Sequence, residues 1–258
     1  MLEHTIFGDA PGTPVLIAHG LYGSGRNWGV IAKRLSEHRR VITVDMRNHG
    51  HSHWSNDHTY PAMADDLAQV IDHIGAPMDV VGHSMGGKAA MMLALSRPDA
   101  LRSLIVADIA PVGYSHSQMQ FIDAMRAVDL THVTRRSQAN DQLTALGVEA
   151  TLCSFLTQSL DVAEKRWRLN LDALARNMPA ILDFPEVTGT FNGPTLFLSG
   201  ATSDYVDRAY RPKILSLFPK AKFAKIPGAG HWLHAEKPRE FEQNVSSYLN
   251  TFSGQDLT

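Results

Sequence analysis

Short apolar runs recur along the chain, and each stops at a polar or turn residue. They cover residues 13–18 before His19-Gly20, 41–44 before Asp45, 78–81 before Gly82, 101–107 before Asp108, 195–198 before Ser199-Gly200, and 221–226 before Pro227-Gly228. Such short runs, rich in β-branched residues and bounded by turns, read as buried strands. Helical periodicity fills the spaces between them at 28–36, 60–74, 85–95, 210–217 and 240–249. The alternation predicts an α/β fold, a mostly parallel central sheet flanked by helices on both faces. Functional groups of such sheets gather at the carboxyl ends of the strands. His19, Ser84, Asp108 and the loop before His231 all fall there.

Residues 112–189 break the alternation. Helical stretches at 118–128, 137–143, 149–156 and 164–177 follow one another with no strand between them. This predicts a helical cap inserted into a core made of residues 1–111 and 190–258. Residues 253–258 are expected to fray.

The chain has 258 residues, 44% hydrophobic and 19% charged, enough apolar content for one large core. Its 24 basic and 26 acidic residues leave a net charge of −2. That balance points away from nucleic acid and anionic membrane surfaces as partners. The single cysteine, Cys153, excludes an intramolecular disulfide and is expected to be a small buried residue in a helical stretch at 151–160. Met1-Leu2-Glu3-His4 lacks the basic and apolar regions of a signal peptide, and no apolar run has the length of a membrane span. The expectation is a cytoplasmic protein without stable membrane association, monomeric or homodimeric.

The strongest chemical pattern is Gly82-His83-Ser84-Met85-Gly86-Gly87, between a strand and a helix. Gly-x-Ser-x-Gly in that setting forms a tight turn that exposes a nucleophilic serine at a helix N-terminus. A serine hydroxyl needs a base. Of 13 histidines, His231 stands out: it follows the last strand in the glycine-bearing loop Pro227-Gly228-Ala229-Gly230-His231. His83 is expected to pack within the turn, and His234 to sit at a helix start.

A carboxylate should hold the base in its working tautomer. Two residues compete. Asp108 ends a strand directly before the inserted segment. Asp204 lies one residue beyond the customary acid position after the next strand, a position occupied by Ser203. Asp108 has no such misfit and is preferred, with Asp204 the alternative. Two backbone N–H groups should receive the developing oxyanion: Met85, after the nucleophile, and Leu21, after His19-Gly20. His19 is expected to brace that loop, and Asp45 and Arg47 to tie the loop beside it. The alternation of His49, His51 and His53 suggests a metal site, but no acid or thiol cluster supports one. No metal and no cofactor is expected. Trp167-Arg168-Leu169-Asn170-Leu171 reads either as pocket-facing or as an amphipathic helix.

Together His19-Gly20-Leu21, Asp45-x-Arg47-x-x-Gly50-x-Ser52, the Ser84 turn and Gly228-x-Gly230-His231-Trp232 resemble the α/β-hydrolase superfamily. More narrowly the chain resembles the YbfF-type bacterial esterases. This likeness is carried by His83-Ser84-Met85-Gly86-Gly87-Lys88, Ala107-Asp108-Ile109-Ala110-Pro111-Val112, Arg166-Trp167-Arg168-x-Asn170-Leu171 and Gly230-His231-Trp232-x-His234-Ala235-Glu236-Lys237-Pro238. The resemblance implies a cytoplasmic carboxylesterase, with acyl-CoA thioester cleavage as a possible activity. It also implies Asp108 as the acid.

The expected function is a serine carboxylesterase acting on small to medium acyl esters through an acyl-enzyme. Two alternatives keep the same residues: an acyl-CoA thioesterase, or a hydrolase of carbon–carbon bonds. A further one is a hydrolase fold that binds ligands without catalysis. Lys88 and Arg168 are candidates to meet a CoA phosphate, against a plain reading as solvated surface charges.

Overall fold

The computed structural model describes residues 1–75 and 77–252; the expectation for 253–258 lies outside the described residues. Among the described residues nine strands are formed: β1 (His4–Phe7), β2 (Val15–Ala18), β3 (Val41–Val44), β4 (Met78–His83), β5 (Leu101–Ala107), β6 (Leu160–Asp161), β7 (Arg166–Trp167), β8 (Thr195–Gly200) and β9 (Ala221–Ile226). Seven of them build one sheet in the order β1-β3-β2-β4-β5-β8-β9. Every pairing in it is parallel except β1 with β3. All six sequence-predicted strands are present. β1 was not expected, because its four residues pack at the sheet edge and are only partly buried, leaving no apolar run to read.

Both faces of the sheet are covered. Leu16 and Ala18 of β2, Val80 of β4 and Leu104 and Val106 of β5 point into one apolar layer. There they meet α2 (Tyr60–Ile74) and α3 (Met85–Ser96), whose apolar residues belong to the same layer. Val15, Ile17, Val81, Ile105 and Ala107, the alternate residues, point to the other layer. They pack with α1 (Gly29–Leu35) and the closing helix Pro238–Asn250. The two-residue period of a strand sends its side chains to opposite faces, so central strands must be apolar at every position.

The register sets the place of the site. Ala18 pairs with Gly82, His83 with Ala107, and Ala107 with Leu198. The residues that follow these strands therefore emerge side by side along one edge.

Between β5 and β8 lie α4 (Met119–Ala127), α5 (Arg136–Ala145), α6 (Ala150–Leu156), α7 (Leu171–Arg176) and α8 (Met178–Leu182). This segment is not purely helical, as the sequence suggested. β6 and β7 form an antiparallel hairpin within it. The stretch expected to be one helix over 164–177 is a strand, a loop and a short helix. Lys165 takes φ 52°, which turns the hairpin. Asn170 accepts the N–H of Ala173 and starts α7 only there. Trp167-Arg168-Leu169-Asn170-Leu171 is thus no amphipathic helix. Leu169 bridges to His49 and Trp167 donates its indole N–H to the Met125 carbonyl. Cys153 is buried in α6, which ends at Leu156 rather than at 160.

α9 (Arg211–Leu217) connects β8 to β9, and α10 (Leu233–Glu236) and α11 (Pro238–Asn250) follow β9.

Candidate active site

β4 delivers Ser84 into the turn that opens α3. Ser84 sits at φ 52° and ψ −120°, a left-handed φ that side chains rarely adopt. Its N–H donates to the Ala107 carbonyl at 3.0 Å, and its carbonyl accepts from the Lys88 N–H at 3.0 Å. A Cβ at residue 82 would lie 2.4 Å from the Gly86 carbonyl oxygen, and one at residue 86 would lie 2.4 Å from the Ala18 carbonyl oxygen. The strained turn closes because both positions are glycine.

His231, in the loop between β9 and α10, reaches Ser84 from across the sheet. Its Nε2 is 3.1 Å from Ser84 Oγ, and its Nδ1 is 2.8 Å from Asp108 Oδ2. Asp108 is fully buried at the end of β5. Its carboxylate also accepts the Gly200 N–H at 2.9 Å and the Ser203 hydroxyl. A carboxylate can only accept, so Nδ1 of His231 carries the proton and Nε2 presents its lone pair to Ser84. Asp204, the competing carboxylate, is exposed to solvent. Ser203, one residue before it, donates its hydroxyl to Asp108 instead.

Leu21 and Met85 line one cavity with Ser84. Met85 is the first residue of α3, where a helix leaves its N–H groups without intrahelical partners. Among the described residues, no hydrogen bond occupies the N–H of Leu21 or of Met85.

The loop carrying Leu21 is held by neutral histidines. His19 accepts the Met46 N–H at Nε2 (2.9 Å) and donates from Nδ1 to the Gly20 carbonyl (2.8 Å). His49 accepts the Tyr22 N–H (3.2 Å) and donates to the Arg47 carbonyl (2.8 Å). Burial lowers the His19 pKa to about 4 and that of His49 to about 3. His58 joins this group: it accepts from the Asn48 amide at Nδ1 and faces Met85 Sδ with Nε2. Burial brings its pKa to about 3. His19 braces the loop as expected and His49 shares the task, while His58 stands beside His49 with ring centroids 5.7 Å apart.

The three alternating histidines do not converge. His49 turns inward to the Tyr22 N–H, His51 meets Arg168, and His53 lies 3.8 Å from Asp66. Among the described residues no group of three His, Cys, Asp or Glu could hold a metal ion. Asp45 accepts the N–H groups of Gly25 and His51, while Arg47 pairs with Asp66 at 2.5 Å. His83 donates to the His231 carbonyl at 2.9 Å, and His234 stacks on Trp28 with centroids 4.2 Å apart. Burial keeps both rings neutral, His83 well below the usual imidazole range and His234 at about 3.

The cavity over Ser84 and His231 has a volume of about 270 Å³ and is mostly apolar, with Phe121, Phe155, Ile181 and Trp232 in its wall. Lys88 also reaches it, but not as a solvated charge: the residue is 1% exposed. Its Nζ donates to the carbonyls of Leu182 (2.8 Å) and Asp183 (2.7 Å) and lies 4.8 Å from the Tyr114 ring centroid. Burial lowers its pKa to about 7. Arg168 is likewise engaged, with Asp161 at 2.6 Å. The sequence reading did not mark His58, nor Tyr205, whose ring stacks on His231 with centroids 4.0 Å apart. No local pattern marks a lone aromatic in a loop.

The family described as alpha/beta hydrolase fold matches residues 13–238, nearly the whole chain. The chain belongs to the α/β-hydrolase family. This hydrolase is 43% identical to the sn-1-specific diacylglycerol lipase ABHD11 of Mus musculus over 253 residues, 94% of this chain and 82% of that protein. It is 37% identical to Esterase YbfF of Escherichia coli over 92% of this chain and 93% of that protein. A marine microorganism esterase of known structure superposes with a TM-score of 0.91 at 37% identity, covering 96% of this chain and 98% of that one. This α/β-hydrolase is therefore an enzyme, a carboxylic ester hydrolase of the YbfF esterase type. No helix among its described residues is long and apolar enough to cross a membrane.

Proposed function

We propose that this α/β-hydrolase is a serine carboxylesterase with Ser84 as nucleophile, His231 as base and Asp108 as the orienting acid. The observation that carries the reading is the unbroken line Ser84 Oγ–His231–Asp108, with contacts of 3.1 and 2.8 Å. Ser84 Oγ attacks the acyl carbon as its proton passes to His231 Nε2. The N–H groups of Leu21 and Met85 receive the oxyanion. His231 then returns the proton to the leaving alkoxide, and an acyl-Ser84 ester remains. A water, deprotonated by His231, attacks that ester; the carboxylic acid leaves and Ser84 regains its proton. Asp108 stays ionised and stabilises the imidazolium formed in each half-reaction.

Residues 112–189 act as the cap and, with the core of 1–111 and 190–258, enclose the acyl group. A cavity of about 270 Å³ suits a small to medium acyl chain. The names of the relatives add a glycerolipid ester as a second substrate class. An acyl-CoA reading has less support, because Lys88 and Arg168, the cations considered for its phosphates, are both engaged within the protein.

The test is Ser84→Ala, which should abolish hydrolysis of p-nitrophenyl butyrate and labelling by a fluorophosphonate. Near-native turnover in that variant would overturn the assignment. A panel of p-nitrophenyl esters, diacylglycerols and acyl-CoAs of graded length then ranks the substrate classes by kcat/KM.

A further inference from the structure

The face of His231 is covered by one aromatic ring, and that ring is tied to the inserted segment. Tyr205 lies in the loop after β8, with its ring 20° from parallel to the imidazole and 4.0 Å from it between centroids. Three hydrogen bonds fix it. Its carbonyl accepts the Tyr114 hydroxyl at 2.7 Å, and its N–H donates to Ser203 Oγ at 3.3 Å. Its hydroxyl meets His116 Nε2 at 2.7 Å. Tyr114 in turn accepts the Ala110 N–H at 2.9 Å. Tyr114 and His116 both belong to the stretch that leaves β5 for the helical segment, directly after Asp108.

We infer that Tyr205 is a positioning residue for His231, and that His116 couples it to the inserted segment. The inference rests on His231 acting as the base. Asp108 and Ser84 meet the two nitrogens of the imidazole in the plane of the ring. Contacts in the plane leave the ring free to tilt toward either of its faces. A ring stacked on its face removes the remaining freedom. It also favours the charged state: the negative π-face of tyrosine attracts the imidazolium that forms when Ser84 gives up its proton. That attraction is absent for the neutral ring of the resting enzyme, so it lowers the barrier and is not lost to substrate binding. The remaining titratable groups close to His231 are Asp108 from β5, His83 from β4 and His234 from α10. Tyr205 is the one of these neighbours that presents an aromatic, uncharged face in a stacked geometry.

Three variants test this in the full-length enzyme with p-nitrophenyl butyrate: Tyr205→Leu, Tyr205→Phe and His116→Ala. Tyr205→Leu should lower kcat about tenfold, the size of a cation–π contact, with KM within about twofold. Tyr205→Phe keeps the ring and should restore kcat to within about threefold of wild type. His116→Ala should match Tyr205→Phe, and the double variant Tyr205→Phe/His116→Ala should lose no more than either alone, because both remove the same hydrogen bond. Equal losses in Tyr205→Leu and Tyr205→Phe, or a loss confined to KM, would overturn the positioning role. Additive losses in the double variant would overturn the coupling. Should Tyr205→Leu fail to fold, Tyr205→Met takes its place as the ring-less variant and is judged by the same comparison of kcat and KM with Tyr205→Phe. A failure of the underlying reading looks different: Ser84→Ala would then retain activity whatever stands at residue 205.

Discussion

Ser203 donates its hydroxyl to Oδ2 of Asp108, the same oxygen that faces Nδ1 of His231. Two elements thus converge on one buried carboxylate, since Gly200, at the end of β8, supplies its N–H to Oδ1. A buried carboxylate is tolerable only with such donors around it.

The two carboxylates weighed from sequence are separated by a direct experiment. Asp108→Asn should lower kcat by about 10⁴-fold, because an amide can hold His231 in the wrong tautomer. Asp204→Asn should stay within about twofold of wild type, since that side chain is exposed. A larger loss in Asp204→Asn than in Asp108→Asn would reverse the assignment.

The crowding behind Ser84 makes Gly86→Ala costly. Its added methyl would sit 2.4 Å from the Ala18 carbonyl oxygen and 2.5 Å from that of His19, so backbone has to move. A loss of about 2 kcal/mol or more in urea unfolding is expected, with a parallel loss of kcat. A midpoint unchanged from wild type would show that the turn is looser than its geometry.

Buried neutral histidines make the fold acid-sensitive. An unfolded histidine takes up a proton near pH 6.5. Folded His19 does so only at about 4, and His49, His58 and His234 at about 3. Between those limits the unfolded chain holds more protons, so stability is complete above pH 7 and falls as the pH drops. Each such ring costs about 2 kcal/mol at pH 5. Urea midpoints at pH 7.5 and 5.0 measure it. An unfolding free energy whose pH slope near 5 corresponds to less than one proton would contradict this account.

Lys88 acts at the opposite end of the scale. Burial lowers its folded pKa to about 7, whereas the unfolded lysine keeps its proton to about 10.4. The unfolded chain therefore holds the extra proton across that window, and the Lys88 contribution to stability rises with pH from 7 to 9.5. Lys88→Met should remove that rise, which reaches about 1.4 kcal/mol per pH unit at most. A wild-type curve and a Lys88→Met curve with the same slope would contradict it.

Much of this enzyme was legible because its signals are local. Apolar runs ending at turn residues, helical periodicity between them and the glycines around Ser84 predicted the sheet and the tight turn, and the glycine-bearing loop after the last strand singled out His231 as the expected base. The hairpin in 160–167 was missed for the same reason in reverse. Strands of two residues carry no period, and the turn at Lys165 needs a left-handed φ that nothing in its neighbours announces.

The tertiary structure alone decided the rest. Asp108 and His231 meet across 123 residues of chain, and only strand register brings Asp108 rather than Asp204 to that imidazole. Tyr205 over His231, Lys88 enclosed beneath Tyr114, and the neutral histidines under the Leu21 loop are likewise products of packing. The physical reason is one of range. Backbone preference and burial period act over a few residues and are written in the neighbours. A partner across the sheet and a pKa set by desolvation depend on what the folded chain places on every side of a group.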